Sequence, residues 1–267
     1  MTDDRSQFDA FRNRREDVVR GPQGSLALAL TAWVAEATEI DGVPGIWAPN
    51  PTADGLLVSA TAGDEITVDG QLVSGTVSVY SKTSMTPSRI HFGDGRTGFV
   101  ITDGDRTALR VWDPERADEM GFERIDAYDY DPTWRMSGRY EAADGGVVFS
   151  HERSQGGKRE ATSPGVVHFE HDGAQYELLA LPSGDTLQIV FADATTGVET
   201  YGVGRFLFVR PEDDGRVTLD FNRAIVPPCS MSDQFNCPLP PAANRFPFAI
   251  TAGEKRPVFA TEGADEA

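Results

Sequence analysis

Two arginines in the C-terminal half of the chain, Arg205 and Arg223, are the side chains best suited to bind an anion. They stand in "VETYGVGRFLFVR" and "RVTLDFNRA", where alternation predicts that both lie on an apolar strand face. A buried guanidinium keeps its charge, so it needs carboxylates, carbonyl oxygens or a bound anion. The anion could be a ligand with a carboxylate or phosphate. It could also be a protein carboxylate, such as Asp185 or Asp193, in a structural salt bridge.

Five polar residues nearby could complete such a site. Asp220 and Asn222 would brace the end of the strand or orient a ligand, and Tyr201 would supply a wall and a hydroxyl. Asp193 or Glu199 could instead act as a general base, with an arginine stabilising developing negative charge. That second arrangement would make the protein a metal-independent hydrolase or lyase.

The chain has two cysteines, Cys229 and Cys237, in a proline-rich stretch that we call the Pro/Cys segment, residues 226–241. They could form a disulfide, remain buried free thiols or bind a metal. We predict that the two cysteines lie close together but bind no zinc, because the segment lacks a Cys-x-x-Cys pair and histidines. A nucleophilic cysteine would need a nearby base, and no histidine lies in the segment.

Other patterns in the sequence do not indicate a metal or a cofactor. In "HFEH", His168 and Glu170 share one face of a strand while His171 points away. Asp-Gly turns such as "DGDR" lack the ligand spacing of an EF-hand. No Gly-rich phosphate loop, G-x-S-x-G or H-E-x-x-H sequence occurs. We therefore predict no metal and no cofactor.

Three stretches are predicted to position these residues as a meander: "DTLQIVFAD", "VETYGVGRFLFVR" and "RVTLDFNRA". With the simplest turns, Arg205 lies opposite Phe221, one row from Arg223, and Asp185 ends the neighbouring strand opposite Arg205. If the pairing register of the strand shifted by one residue, Asp220 and Asn222 would face inward instead. The Pro/Cys segment cannot be a central strand or a helix, because its prolines remove backbone donors.

The whole chain is predicted to be mainly β, with antiparallel sandwich-like or barrel-like sheets. Phe8, Phe11, Arg15, Val18 and Val19 indicate one short N-terminal helix, which Gly21-Pro22 ends. Asp-Gly, a favoured hairpin turn, recurs at eight positions. A charged, turn-rich stretch after Asp113 predicts a boundary, giving an N-terminal helix (1–22), a smaller β unit (25–113) and a larger C-terminal β domain (125–260).

Composition limits the classes of partner. The 267 residues include 42 acidic and 24 basic side chains, for a formal net charge of −18. Such a charge repels nucleic-acid phosphate and anionic membranes, so we expect neither as a partner. No apolar run has the length of a signal peptide or a membrane span. We expect a cytoplasmic protein with reduced thiols.

The C-terminal half also carries an ordered series of short motifs: "DATTGVETYGVGRFLFV", "VTLDFNRA", "PPC", "CPLPP", "NR" and "AGEK". In this order and spacing the sequence resembles a bacterial family of uncharacterised proteins, domain of unknown function family 1684. The similarity extends more weakly upstream through "RVWDPE", "FERIDAYDYDP" and "SPG". It departs at Ile225 and Val226, where such proteins carry a tyrosine and an asparagine. The resemblance implies a soluble, β-rich protein and no particular activity.

The residues favour one function over two alternatives. We expect the C-terminal domain to bind a small anionic or polar molecule in a pocket, with Arg205 and Arg223 clamping the anion and the Pro/Cys segment acting as a lid. The first alternative is the metal-independent hydrolase or lyase. The second is a structural or partner-binding β module, which would pair its arginines internally and expose an apolar patch. The oligomeric state does not follow from the sequence.

Overall fold

The protein, described here by a computed structural model for residues 2–260, is built from two compact units. The smaller unit is formed by residues 17–120, and the larger unit by residues 2–16 together with residues 121–260. Strands make up 49% of the chain and helices 14%. Every pair of neighbouring strands in the described sheets is antiparallel. The predicted mainly β fold is thereby confirmed.

The N-terminal helix α1 spans Thr2–Arg20 and ends directly before Gly21, as predicted. Phe8 is buried in the larger unit, where it contacts Tyr130 with ring centroids 5.3 Å apart. Val19 is fully buried in the smaller unit, whereas Val18 is 65% exposed. Val18 and Val19, both used to predict the helix, therefore differ in burial. No helix among the described residues is long and apolar enough to cross a membrane.

The smaller unit consists of ten strands and one short helix. They are β1 (Leu28–Trp33), β2 (Thr38–Ile40), β3 (Val43–Pro49), β4 (Gly55–Ala60), β5 (Thr67–Val68), β6 (Gln71–Leu72), β7 (Gly75–Tyr80), β8 (Ile90–His91), β9 (Thr97–Asp103), β10 (Arg106–Trp112) and α2 (Arg116–Glu119). A six-stranded sheet has the order β1-β10-β9-β8-β5-β6, and a four-stranded sheet has the order β2-β3-β4-β7. Their apolar faces meet in one core around the fully buried Trp47.

The larger unit contains nine strands. They are β11 (Phe122–Ala127), β12 (Arg135–Glu152), β13 (Lys158–His171), β14 (Ala174–Leu179), β15 (Leu181–Ser183), β16 (Thr186–Phe191), β17 (Arg205–Val209), β18 (Arg216–Asp220) and β19 (Glu254–Phe259). They form sheets of the order β14-β13-β12-β18, β15-β16-β17 and β11-β19. The core between the first two sheets is rich in phenylalanine and includes Phe169, Phe191, Phe221 and Phe246.

The predicted Asp-Gly hairpins are present where the strand before the turn pairs with the strand directly after it. His171 pairs with Ala174 around Asp172-Gly173, and both turn residues have positive φ, as a two-residue hairpin loop requires. Asp144 is an exception, because it lies inside β12 rather than in a turn. There the pairing with β13 shifts between Ala142 and Val147. The opposing Pro164 has no N–H with which to continue the ladder.

The predicted three-stranded meander was only partly right. β16 and β17 pair antiparallel, with Phe191 opposite Arg205. β18, however, pairs with β12 in the other sheet, so that Asp220 lies opposite Arg135. The chain from Ala192 to Gly204 is a loop rather than the first half of a strand. Arg205 therefore does not lie opposite Phe221, and it does not share a strand face with Arg223.

The Pro/Cys segment is an irregular stretch that the tip of the β12–β13 hairpin holds by hydrogen bonds. Ser154 N donates to Cys237 O at 2.9 Å, and Leu239 N donates to Glu152 O at 2.8 Å. Its proline-rich end also packs against Gly204, where an added Cβ would lie 2.9 Å from the Pro240 ring. Because Gly204 has φ +97 as well, no other residue fits there without strain.

Candidate functional site

Arg205, one of the two predicted anion-binding arginines, is fully buried in the larger unit. Its Nη2 donates to Asp193 Oδ2 at 2.5 Å and to Ile250 O at 2.9 Å, and its Nη1 donates to Ala252 O. The other oxygen of Asp193 accepts from Thr195 N at 2.7 Å. Asp185, by contrast, pairs with Arg210 at the surface. The geometry matches the internal salt bridge considered for Arg205, with Asp193 as its partner.

Arg223 lies in a different environment, at the edge of a pocket of about 280 Å³ in the larger unit. We call this pocket the arginine pocket. Three arginines line it: Arg135 at the start of β12, Arg210 after β17, and Arg223 in the 3₁₀ turn Phe221–Arg223. Its other lining residues are Asp4, Gln7, Tyr130, Phe208, Val209, Glu212, Thr218 and Asp220.

The guanidinium of Arg223 is only partly used by the protein. Its Nε lies 3.3 Å from Asp220 Oδ2, at an angle that leaves the buried Nε–H without a hydrogen bond. One face of the group lies over Phe11, 5.7 Å from the ring centroid. The side chain is 42% exposed, so part of it is accessible from the pocket.

Arg135 and Arg210 enter the pocket from two different sheets. Arg135 is exposed and has no ion pair with any carboxylate in the chain from residue 4 to residue 260. Arg210 pairs with Asp185 at the surface. Beside them Phe208 is 43% exposed, which is unusual for a phenylalanine. The pocket therefore presents cationic forks next to an open apolar surface.

Asp220 and Asn222 hold the backbone at this pocket. Asp220 Oδ1 accepts hydrogen bonds from Asn222 N at 3.2 Å and from Asn222 Nδ2 at 3.0 Å. Asn222 is buried, and it also bridges Asp131 by accepting from its N–H and donating to its carbonyl, each at 2.9 Å. Asn222 thus braces the turn that presents Arg223, and only Asp220 lines the pocket.

Glu199, a candidate base, lies in the loop before β17 and outside the arginine pocket. Its carboxylate accepts from the Tyr128 hydroxyl at 3.0 Å. Burial, together with this bond to Glu199, raises the pKa of Tyr128 to about 12. Asp193 is outside the pocket as well, because it pairs with Arg205. The structure therefore does not bring either carboxylate together with Arg223.

Tyr201 lies beside the two cysteines rather than beside the arginines. Its hydroxyl donates to Cys229 O at 2.9 Å. Both cysteines are free thiols, with Cys237 buried and Cys229 partly exposed. Their side chains hydrogen-bond each other. The predicted proximity of the two cysteines is therefore confirmed. Within residues 4–260 no cluster of three or more His, Cys, Asp or Glu side chains could hold a metal ion.

Two other concave surfaces carry fewer groups for chemistry. A pocket of about 340 Å³ lies beside the proline-rich end of the Pro/Cys segment, with His151, Lys158 and Arg245 in its lining. In the smaller unit, an open groove of about 880 Å³ is lined by backbone around Gly42 and by the acidic residues Glu39, Asp41 and Asp64. The groove has no lysine, arginine, histidine or cysteine in its lining.

Arg135 and Arg210 also line the pocket, although neither was predicted from the sequence. Arg210 could have been predicted from the sequence, because Phe208 and Arg210 lie on the strand face opposite to that of Arg205. Arg135 could not, because its position depends on the pairing of β12 with β18, which are distant in sequence. Glu254 in "AGEK" was also missed. It is fully buried and pairs with Arg12 and Arg15 of α1.

Comparison with known proteins gives a family but no activity. Residues 120–255 match the model of a family described as "Protein of unknown function (DUF1684)". A solution NMR structure of an uncharacterised protein from Haloarcula marismortui is 31% identical, covering 54% of this chain and 80% of that chain with a TM-score of 0.42. No curated protein matches the chain.

Proposed function

The chain belongs to the DUF1684 family of proteins of unknown function, and we propose that its larger unit binds a small molecule with a carboxylate or phosphate group in the arginine pocket. The observation that carries this proposal is the convergence of Arg135, Arg210 and Arg223 on one pocket. Among the described residues Arg135 is exposed and forms no ion pair, and the side chain of Arg223 is 42% exposed. Planar guanidinium forks suit the paired oxygens of a carboxylate or phosphate.

The size and the remaining lining narrow the class of ligand. A volume of about 280 Å³ is at the lower end of the range for small-molecule sites, so the ligand is a small metabolite. Asp4, Glu212 and Asp220 also line the pocket and contribute negative charge to it. They favour a ligand that also carries hydroxyl or ammonium donors. Phe208 offers an apolar wall to its carbon skeleton.

The site lies within a strongly acidic molecule, which affects its selectivity. With a net charge of −18, long-range repulsion disfavours polyanions such as nucleic acids, whereas a small ligand is governed by the nearby arginines. We also propose that the protein acts in the cytoplasm and has no nucleic-acid partner. The net charge supports the absence of a nucleic-acid partner.

The proposal predicts a specific loss of binding when arginines of the arginine pocket are removed. Each charge-assisted hydrogen bond contributes about 1.5–3 kcal/mol, so Arg223→Met should raise Kd about tenfold to a hundredfold. Arg223→Lys should recover little, because the fork is lost. Thermal melts of wild type and variants, with a panel of small carboxylates, phosphates and amino acids, measure this directly, since a ligand that binds the folded state raises Tm.

A matched control is available in the second basic pocket. The double variant Lys158→Met with Arg245→Met removes two cations near the Pro/Cys segment and should leave the ligand-induced shift in Tm unchanged. The arginine-pocket assignment is wrong if this control abolishes the shift while Arg135→Met with Arg223→Met preserves it. The binding function itself is wrong if no compound in the panel shifts the wild-type melt.

A further inference from the structure

The two cysteines form a polar cluster that the arginine pocket does not include. Cys229 lies in the 3₁₀ turn Pro228–Ser230, and its thiol is hydrogen-bonded to the thiol of Cys237. Val190, Phe206 and Cys237 form a small apolar cluster, and Cys229 packs against it. The two thiols are thus neighbours and are not joined in a disulfide.

The backbone around the pair is fixed from two directions. At Cys237, the hairpin tip holds both backbone groups: Cys237 N donates to Ser154 Oγ at 2.9 Å, and Cys237 O accepts from Ser154 N at 2.9 Å. At Cys229, the carbonyl accepts from the Tyr201 hydroxyl at 2.9 Å. These bonds hold the backbone at both cysteines.

The same polar groups distinguish the two thiols chemically. The hydrogen bond from Cys237, assisted by the Ser154 and Tyr201 hydroxyls, lowers the pKa of Cys229 to about 7. The bond to Cys229, together with burial, raises the pKa of Cys237 well above its usual range. Cys229 is also partly exposed, whereas Cys237 is 4% exposed. Reactive cysteines combine thiolate character with access in this way.

We propose that Cys229 and Cys237 are a redox-active dithiol, in which Cys229 reacts with a hydroperoxide and Cys237 closes a disulfide. This function goes beyond the ligand binding proposed above and does not depend on it. The histidine that sequence reasoning required as a base is not needed, because the hydrogen bond from Cys237 stabilises the thiolate of Cys229.

The chemistry balances in two steps. In the first, the Cys229 thiolate attacks one oxygen of the hydroperoxide; the S–O bond forms, the O–O bond breaks, and the leaving alkoxide takes a proton to become an alcohol. In the second, the Cys237 sulfur attacks the sulfenic acid; the S–S bond forms, and the leaving hydroxide takes the Cys237 proton to become water. Once Cys229 is a neutral sulfenic acid, its negative charge no longer raises the pKa of Cys237, so Cys237 can lose its proton. The dithiol loses two electrons and the hydroperoxide gains them.

Intact-protein mass spectrometry of the full chain treated with hydrogen peroxide tests the proposal. Wild type should lose two hydrogen atoms, lose both maleimide-reactive thiols, and recover them with dithiothreitol. Cys237→Ser should stop at a sulfenic acid that dimedone traps on Cys229. Cys229→Ser should leave Cys237 reduced, with an oxidation rate at least about tenfold below that of wild type. Circular dichroism of both serine variants checks that they are folded.

The pH dependence provides a second readout. A cysteine reacts as its thiolate, which predominates above its pKa, so native alkylation of Cys229 by iodoacetamide should rise through pH about 7. In the denatured chain the rise should follow the usual thiol pKa of about 8.5. Tyr201→Phe removes a hydroxyl that lowers the pKa of Cys229 and should move the native midpoint upward.

Specific results would overturn the proposal. It is wrong if peroxide oxidises Cys237 in Cys229→Ser as fast as it oxidises wild type. It is also wrong if the folded wild type passes to sulfinic acid without forming the disulfide, or if only disulfides between chains form. The state of the arginine pocket affects none of these outcomes, so a failure of the ligand-binding proposal remains distinguishable.

Discussion

Arg205 illustrates what a fully buried guanidinium requires. It contacts Asp193 and the carbonyl oxygens of Ile250 and Ala252, and it lies 5.1 Å from the centroid of the Phe191 ring. Burial lowers the pKa of Arg205, and the charge of Asp193 opposes that change. The side chain joins β17 to the chain just before β19, so its role here is to hold the larger unit together.

At the residue scale, Arg205→Met should destabilise the larger unit by about 3–5 kcal/mol, because Asp193 would be left buried and unpaired. Arg205→Lys should recover little, since one ammonium cannot reach the carboxylate and both carbonyls in the same geometry. Arg210→Met is the matched control, because it breaks an ion pair with Asp185 whose side chains are 64% and 73% exposed. It should cost no more than about 1 kcal/mol.

Urea unfolding followed by circular dichroism measures these differences. The double variant Arg205→Met with Asp193→Leu should regain part of the loss, because it removes both charges at once. If Arg205→Met unfolds at the same urea concentration as wild type, the buried charge of Asp193 does not need Arg205 to neutralise it.

Helix α1 is held to the larger unit by charge as well as by Phe8. Arg12 Nη1 and Arg15 Nε both donate to Glu254 Oε1, at 3.2 Å and 3.1 Å. The other oxygen of Glu254 accepts from Val226 N at 2.8 Å. The partners of this buried carboxylate thus come from the two ends of the sequence. Because the Pro/Cys segment begins at residue 226, α1 also anchors the start of that segment through Glu254.

At the element scale, Arg12→Met with Arg15→Met should cost about 3–5 kcal/mol, because Glu254 would keep its burial and lose its cations. Arg5→Met on the same helix is the control. Arg5 pairs with Asp9 at the surface, with side chains 54% and 56% exposed, so its loss should cost less than about 0.5 kcal/mol. Thermal melts of the two variants compare the effects. Equal shifts would show that α1 is not anchored through Glu254.

The chain contributes to its two units in an interleaved order. Residues 2–16 belong to the larger unit, residues 17–120 to the smaller unit, and residues 121–260 to the larger unit again. The smaller unit has its own core around Trp47. The larger unit needs α1 to supply Arg12 and Arg15. The domain limits expected from the sequence, 25–113 and 125–260, remain a prediction about independent folding.

At the scale of the whole molecule, a polypeptide of residues 17–120 should fold on its own and show a dispersed NMR spectrum. Residues 121–260 alone should be less stable, because Glu254 would have no cation partner. A peptide of residues 1–20 added in trans should raise the Tm of the 121–260 polypeptide. A peptide with Arg12→Met and Arg15→Met serves as the control. If residues 121–260 melt at the same temperature with and without either peptide, α1 is not part of the folding unit.

The features that the sequence determined by itself are local ones. Helix α1 ends at Arg20 because Gly21-Pro22 stops it, and Asp172-Gly173 forms a hairpin because both residues tolerate positive φ. Period-2 alternation located β16, β17 and β18. The closeness of Cys229 and Cys237 also followed from the sequence, because few residues separate them.

Only the tertiary structure decided which strands are neighbours and which side chains meet. The pairing of β18 with β12 rather than with β17 brings Arg135 beside Asp220 and forms the arginine pocket. Likewise, the β12–β13 tip places Ser154 beside Cys237. The physical reason is that alternation sets only the face on which a side chain lies. The partner strand is selected by packing of the whole core, to which residues far apart in sequence contribute.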